Sequence, residues 1–398
     1  MRLTIDKAVY GGYGLARSGG VVLVRGALPG EIVDVAIAAR KKDYAVAETV
    51  TVLEPSPHRV SPSCAAYGVC GGCRLQHADY QCQLAMKASA LADTLGRIAK
   101  VGTGPPAIRP SDPFRYRHRG QFKADATGIG FHAEGTHRVV PVRACPVMID
   151  GINGLLAACR DAAALRGAAG VAVVSDGERA IAHFGRTAYD DRIVGILRES
   201  GAAGVAFRDR AWGSRGLVFR LGEVVYGVSP GTFFQANWKL NLELVGRIET
   251  LIAEGPRGRV LDLYAGAGNF TLPLSARAAE VVAVEESGDA FRDLKRNVAA
   301  NRIRNVKAVR SRIEGFRPSG RYDAVVVDPP RTGLSERAVR LLRELRAPRV
   351  LYVSCNPATL ARDLSRLSGS YGIAGIEAYD FFPQTHHVET LAVLERVQ

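Results

Sequence analysis

Apolar and polar residues alternate with a period of two through the first 57 residues. The stretches "EIVDVAI" and "AVAETVTVL" show this alternation most clearly, and glycine-rich turns at 11–12, 19–20 and 29–30 separate such stretches. Short strands with one buried face and frequent turns give this pattern. It predicts a small β-barrel over 1–57, an architecture that often binds oligonucleotides.

The middle of the chain has a mixed pattern. A cysteine-rich segment at 58–80 precedes "DYQCQLAMKASALADTLGRIAK", whose apolar spacing predicts a helix. From about 111 to 225 the pattern returns to strands with occasional helices. We therefore expect a central α/β domain over 58–225.

Strands and helices alternate after residue 226. The predicted strands are "RVLDLYAG", "EVVAVEES", "VKAVRS", "YDAVVVDPP" and "RVLYVSC". Between them, "NFTLPLSARA", "DAFRDLKRNVAANR" and "ATLARDL" have helical spacing. Strands separated by helices predict a parallel α/β sheet over 226–398.

Charge narrows the class of partner. The chain has 53 Lys and Arg residues against 39 Asp and Glu, a net charge of +14, which favours a polyanion as the binding partner.

We find no run of about 18 apolar residues and no signal peptide, so we expect a cytoplasmic protein that does not enter a membrane. In that compartment, seven cysteines indicate metal, redox or catalytic use rather than disulfides.

The stretch "VLDLYAGAGNFTLPL" joins a buried strand to a glycine-rich turn and a helix. Such a turn lets the backbone approach a ligand at a helix N-terminus. Glu285 follows Gly266 by 19 residues, at the end of the next strand, where it can accept hydrogen bonds from ribose hydroxyls. The absence of a full G-x-G-x-x-G motif favours S-adenosylmethionine over a dinucleotide, while a tight strand-to-helix connection is the alternative.

Two further side chains follow predicted strands. Asp328 ends "VVVD" and Cys355 ends "RVLYVSC", so both belong at the carboxyl edge of the sheet, where open α/β folds bind ligands. Asp328 can also be read as a helix N-cap or turn residue, and Cys355 as a buried hydrophobe or a redox or metal-binding group. Beside a methyl donor, a thiol is better placed to react than to pack.

Another group of cysteines precedes this domain. "CAAYGVCGGC" has the spacing C-x5-C-x2-C, and "VRACPVM" offers a fourth thiol. All-thiolate ligation suits either an iron–sulfur cluster or zinc. The candidate ligands are Cys64, Cys70, Cys73 and Cys145. Cys82 and Cys159 lie in helical patterns and are expected in the core.

The segments "SCNPATLARDL", "DPPR", "LDLYAGAGNFTLPL", "SPGTFFQAN" and "HVETL" together resemble the RNA uracil-5-methyltransferase family. Residues 1–57, with "GALPGE", are similar to a TRAM domain. The resemblance implies an α/β fold with three parts: an N-terminal OB-like β-barrel, a central iron–sulfur domain and a C-terminal Rossmann-like class I methyltransferase domain. It also favours a [4Fe–4S] cluster over zinc.

The resemblance further implies roles for single residues. Cys355 matches the nucleophile that adds to uracil C6, and Glu389 matches the base that removes the C5 proton. The positions that match cofactor contacts are Gln235, Tyr264, Asn269, Glu285 and Asp328. One departure is Arg312, where relatives often carry Asn or Asp near the adenine.

The run "FRYRHRGQFK" alternates arginines with rings. If 114–119 is a strand, Arg115, Arg117 and Arg119 share one face, and we predict that they contact RNA phosphates. A solvated strand face is the alternative.

The sequence leaves open which RNA is bound and which reaction, if any, the protein catalyses. The predicted cluster favours ribosomal over transfer RNA as the partner, and we expect a monomer. A cytosine-5-methyltransferase would carry a second cysteine where this chain has Pro329, Pro330 and Arg331. An RNA-binding iron–sulfur protein without catalysis is the alternative of another kind.

Overall fold

The computed structural model describes residues 1–102, 104–161 and 170–397. The N-terminal sheet has six strands in the order β1-β5-β6-β4-β3-β2. They are β1 (Arg2–Thr4), β2 (Lys7–Val9), β3 (Tyr13–Arg17), β4 (Val21–Arg25), β5 (Ile32–Arg40) and β6 (Tyr44–Glu54). The alternating pattern is confirmed, since Val22 and Val24 are buried and their neighbours less so. The edge strands β1 and β2 do not pair with each other, so the small β-barrel that we predicted is a half-barrel.

The predicted helix after the cysteine-rich segment is confirmed as α1 (Tyr80–Thr94), which continues as a π-helical turn over 95–99. Asp79 caps its N-terminus by accepting a hydrogen bond from the Cys82 N–H at 2.7 Å. Leu91 and Leu95 are fully buried in the core beneath the C-terminal sheet. The short strand β7 (Ile108–Arg109) joins the edge of that same sheet.

The central part contains a seven-stranded sheet in the order β10-β9-β8-β11-β12-β13-β14. Its strands are β8 (Arg119–Asp125), β9 (Gly128–His132), β10 (Val139–Pro141), β11 (Gly170–Ser175), β12 (Ala180–Phe184), β13 (Gly204–Phe207) and β14 (Ala211–Gly213). The helices α2 (Asp150–Asp161) and α3 (Asp191–Glu199) cover it, and the hairpin β15 (Leu217–Leu221) and β16 (Val224–Val228) follows. Cys159 is buried in this core, as predicted.

The predicted strand over 114–119 is wrong. The strand β8 begins only at Arg119, and Arg115 has a φ of +51°, which interrupts an extended chain. Tertiary contacts explain the bend, because the buried Tyr116 donates its hydroxyl to the carbonyl of Pro383 at 3.0 Å. The arginines therefore do not share one strand face.

The C-terminal sheet has the order β19-β18-β17-β20-β21-β23-β22-β7. Its strands are β17 (Arg259–Leu263), β18 (Glu280–Glu285), β19 (Val306–Arg310), β20 (Ala324–Val327), β21 (Arg349–Ser354), β22 (Tyr371–Tyr379) and β23 (Glu389–Arg396). The helices are α4 (Trp238–Ala253), α5 (Thr271–Leu274), α6 (Gly288–Ala300), α7 (Glu336–Leu345) and α8 (Pro357–Leu367). All five predicted strands are confirmed and pair in parallel, whereas β23 is antiparallel to both its neighbours.

The helix predicted at 269–278 is only the four-residue α5. Pro273 lacks the N–H that would continue the hydrogen-bond ladder to the carbonyl of Asn269, so the segment around it forms turns. No helix within the described residues is both long and apolar enough to cross a bilayer.

Candidate active site

Cys355 and Glu389 lie side by side at the carboxyl edge of the C-terminal sheet. Ser354 of β21 is the register partner of Thr390 of β23. Because these strands are antiparallel, the residue after Ser354 faces the residue before Thr390. Asp328 follows β20 on the other side of β21, so three predicted site residues meet at this edge.

The local sequence turns the chain sharply at Cys355. Asn356 caps α8 by accepting a hydrogen bond from the Ala358 N–H at 3.1 Å, and Pro357 occupies the first helical position. The thiol is thus held between the end of a strand and the start of a helix. Burial and the neighbouring Glu389 raise the pKa of Cys355 to about 12. Arg331, which we did not single out from the sequence, opposes this shift with its positive charge.

Two carboxyl groups are confined beside the thiol. Glu389 is buried, and burial and the nearby Asp328 raise its pKa well above the usual range for a glutamate. Burial, followed by repulsion from Asp262, raises the pKa of Asp328 to about 7. Gln235 lies at the limit of hydrogen-bonding distance, with its amide nitrogen 3.5 Å from Asp328 Oδ2. Both carboxyl groups therefore hold a proton more readily than exposed carboxyl groups do.

The predicted cofactor turn follows β17. Tyr264 has a φ of +62°, a left-handed conformation that is uncommon for a residue with a bulky side chain. Gly266 donates its N–H to Glu285 Oε2 at 2.9 Å, and Ser287 donates to Oε1 at 2.7 Å. A Cβ on Gly266 would meet open space, so the turn leaves room beside the Glu285 carboxylate.

Asn269 is held by a residue that we did not predict. Its side-chain amide and that of Asn241 in α4 exchange two hydrogen bonds, at 2.8 and 2.9 Å. Asn241 is fully buried. A buried asparagine among the apolar positions of a helix is the sequence signal that could have identified it, because such an amide needs a partner. Arg312 lies on the rim of this region, where its exposed guanidinium is 3.4 Å from Glu286.

The four cysteines predicted as ligands line one pocket in the central part of the molecule. Burial raises the pKa of Cys73 to about 12 and that of Cys145 to about 11, and the other cysteines of the group contribute to both shifts. Within the described residues, no three His, Cys, Asp or Glu side chains are close enough to hold a single metal ion. The cluster therefore remains a prediction, although its four candidate ligands converge.

Comparisons with known proteins identify the family. The profile of the tRNA (Uracil-5-)-methyltransferase family matches residues 215–319 and 311–397. An uncharacterized RNA methyltransferase of Aquifex aeolicus is 33% identical over 99% of this chain and 98% of its own length. A 23S rRNA (uracil(1939)-C(5))-methyltransferase of Dechloromonas aromatica is 34% identical over 95% of both chains. The chain belongs to the RNA uracil-5-methyltransferase family.

A solved structure supports the same assignment for the whole molecule. The tRNA (uracil-54, C5)-methyltransferase of Pyrococcus abyssi, in complex with S-adenosyl-L-homocysteine, is 27% identical, covers 99% of both chains and has a TM-score of 0.82. The present chain is therefore an RNA uracil-5-methyltransferase with α/β sheets and an N-terminal half-barrel.

The three arginines of the segment 114–119 have different surroundings in this methyltransferase. Arg115 is exposed and lies 3.3 Å from the exposed Asp150. Arg117 lines the cysteine pocket and lies over the ring of Phe382 at 5.8 Å. Arg119 donates to the carbonyl of Thr232 at 3.0 Å. Of the three, Arg115 is the most available for contact with RNA phosphates.

Proposed function

We propose that this methyltransferase modifies uracil C5 through a covalent adduct between Cys355 and C6 of the base, with Glu389 as the base for the C5 proton. The observation that supports it is the position of Glu389 directly across from Cys355. Uracil C5 is a weak nucleophile, and addition of a thiolate at C6 makes it an enolate carbon. A nucleophile and a base on adjacent strands can reach C6 and C5 of one ring.

The reaction would proceed by addition to C6, methyl transfer to C5 and elimination. The Cys355 sulfur forms a bond to C6, and the electron pair of the C5–C6 double bond passes into the enolate. C5 would then form a bond to the methyl carbon as the bond between that carbon and the donor's sulfonium sulfur breaks, so that the donor leaves as a neutral thioether. Glu389 takes the C5 proton, the C5–C6 double bond forms again, and the bond between sulfur and C6 breaks to restore the thiolate. Asp328, next to Glu389, would orient the base.

S-adenosylmethionine fits the residues at the glycine-rich turn and would supply the methyl group as part of its sulfonium. The open space at Gly266 leaves room for a ligand beside the turn. The carboxylate of Glu285, at the end of β18, would accept hydrogen bonds from its ribose hydroxyls. Tyr264, Asn269, Gln235 and Asp328 are the other residues proposed to hold it. The buried pair of Asn269 and Asn241 keeps one of these side chains in a single orientation.

A [4Fe–4S] cluster is proposed for the four-cysteine pocket. The donors are all soft sulfur atoms, and the rest of the lining is mostly apolar, which suits such a cluster. The loop that carries Cys70 is fixed to β9 and its turn, because Gly71 donates its N–H to the carbonyl of His132 at 3.0 Å. When bound, the cluster would link the ligand segment 64–73 to Cys145.

We propose that residues 1–57 bind RNA as a TRAM-like unit, that 58–225 form the cluster and RNA-binding domain, and that 226–398 form the methyltransferase domain. Ribosomal RNA is the favoured substrate because of the predicted cluster, and the Dechloromonas relative is named as a 23S rRNA enzyme. Transfer RNA is the second candidate, since the Pyrococcus structure is named as a tRNA enzyme. We expect a monomeric, cytoplasmic enzyme.

Trapping of the adduct tests the mechanism. A Glu389→Gln variant should still add Cys355 to the base and accept the methyl group, but elimination should stall. We expect a slow-migrating protein–RNA band on a denaturing gel with ribosomal RNA from a strain that lacks the gene. The Cys355→Ala, Glu389→Gln double variant is the control and should show no band. Full turnover by Cys355→Ala would overturn the proposal, and a band only with transfer RNA would change the substrate.

A further inference from the structure

The tip of the β2–β3 hairpin projects from the N-terminal half-barrel onto the 380–388 loop that leads into Glu389. Gly12, at this tip, has a φ of +76°, and a Cβ there would meet the Cβ of His386 at 3.4 Å. The guanidinium of Arg74 donates to the carbonyl of Gly11 at 2.7 Å. The Arg74 N–H donates to the carbonyl of Gln384 at 2.9 Å. The hairpin tip and the catalytic loop are therefore held together through Arg74.

Tyr10 is the aromatic side chain of this hairpin that contacts the loop leading into Glu389. Its ring makes an edge-to-face contact with His386, with 5.4 Å between centroids and 79° between planes. Burial and then the neighbouring Cys355 raise the pKa of Tyr10, and Glu389 contributes as well. The ring thus lies where the N-terminal half-barrel meets the loop that leads into Glu389.

His386 completes an uncharged surface. Burial, with Arg74 next, lowers the pKa of His386 to about 4, so its ring is neutral at physiological pH. His387 lies beside it, with 4.1 Å between the ring centroids and 40° between the ring planes. The Nδ1 atom of His386 has no hydrogen-bond partner within the part of the chain that the structure describes. Two neutral rings side by side offer an uncharged aromatic surface rather than a proton relay.

We propose that Tyr10 and His386 form an aromatic wall of the pocket that holds the target uracil nucleotide, so that the N-terminal half-barrel completes the active site. This inference rests on the proposed role of Cys355. A uracil that reaches Cys355 must leave its stack in the RNA, and enzymes that act on single bases hold them against aromatic side chains. Tyr10 is thus a positioning residue, and its ring matters more than its hydroxyl.

Rates at saturating RNA test this inference. In the Glu389→Gln background, Tyr10→Ala should slow formation of the protein–RNA band by roughly 10- to 100-fold, the usual range for a lost base–aromatic contact. The affinity for the same ribosomal RNA, measured by filter binding, should change less than about twofold. Tyr10→Phe should restore the rate. Leu242→Ala, which shortens an exposed apolar side chain of α4, should leave the rate unchanged.

The controls separate the two proposals. No band with Glu389→Gln alone would mean that the covalent mechanism fails, whatever Tyr10 does. If Glu389→Gln gives a normal band and Tyr10→Ala does not slow its formation at saturating RNA, the aromatic wall is overturned. Tyr10→Phe as slow as Tyr10→Ala would overturn it too, because the hydroxyl would then be the essential group. Thermal unfolding checks each fold, and Tyr10→Leu replaces Tyr10→Ala if that variant unfolds.

Discussion

The ammonium group of Lys87 lies 2.6 Å from the carboxylate of Asp380, and both side chains are almost wholly buried. Lys87 belongs to α1, whereas Asp380 begins the loop that ends at Glu389. Lys87 also donates to the carbonyl of Phe382 at 3.1 Å. This ion pair therefore joins the helix after the cysteine-rich segment to the loop that positions the proposed base.

We predict that Lys87→Met lowers the free energy of unfolding by about 3–5 kcal/mol, because it leaves the Asp380 carboxylate buried without a counter-charge. Lys239→Met is the matched control, since Lys239 and Asp112 form an exposed pair at 3.0 Å that should contribute less than about 1 kcal/mol. Urea unfolding of both variants measures the difference. Equal losses would contradict the prediction, and Lys87→Met with Asp380→Leu should recover stability.

The second prediction concerns the pH dependence of elimination. The base must be ionised to take the C5 proton, and burial together with Asp328 raises the pKa of Glu389. The step should therefore slow with falling pH at a higher pH than an ordinary glutamate, with a pKa of about 4.3, would require. Asp328→Asn should move this loss to lower pH by removing the repulsion.

Rapid quenching after a pH jump measures this step, because the adduct can be formed at high pH before the pH is lowered. Its decay then reports elimination and not formation of the Cys355 thiolate. A decay rate that stays constant down to about pH 5 would contradict a base with a raised pKa.

The third prediction concerns Asn241. Asn241→Ala removes the partner of Asn269 and should weaken S-adenosylmethionine binding by about tenfold, because the freed amide must be reoriented in the complex. Asn301→Ala is the matched control, since Asn301 also exchanges two hydrogen bonds, at 2.8 and 2.7 Å, but with the backbone of Val225. Calorimetric titration of both variants with S-adenosylmethionine distinguishes an effect specific to Asn241 from a general loss of stability. Equal affinities of the two variants would refute the role of Asn241.

The fourth prediction concerns the four-cysteine pocket. Protein purified without oxygen should be brown and contain about four irons per chain. Cys70→Ser should lose the colour, whereas Cys82→Ser, in α1, should keep it. Iron and sulfide analysis provides the measurement, and stoichiometric zinc without iron would refute the cluster.

The local pattern of apolar and polar residues predicted the strands and helices of this enzyme better than it predicted the contacts between them. The valines before Asp328 and the apolar run before Cys355 specify buried strands in any surroundings. Asn356-Pro357 ends a strand and begins a helix through its own side chains, so that turn was predictable as well. The segment 114–119 was not, because its bend depends on Tyr116 reaching Pro383, a contact far away in sequence.

The sequence by itself determined the order of strands and helices, the motifs of the family and the residue types available for chemistry. Only the tertiary structure decided which of them act together. Cys355 and Glu389 meet because an antiparallel β23 brings the end of the chain back beside β21. Tyr10 and Asn241 reach the same edge from other parts of the chain. Spacing along a chain encodes local geometry, whereas burial, electrostatic repulsion and hydrogen-bond partners depend on packing between distant segments.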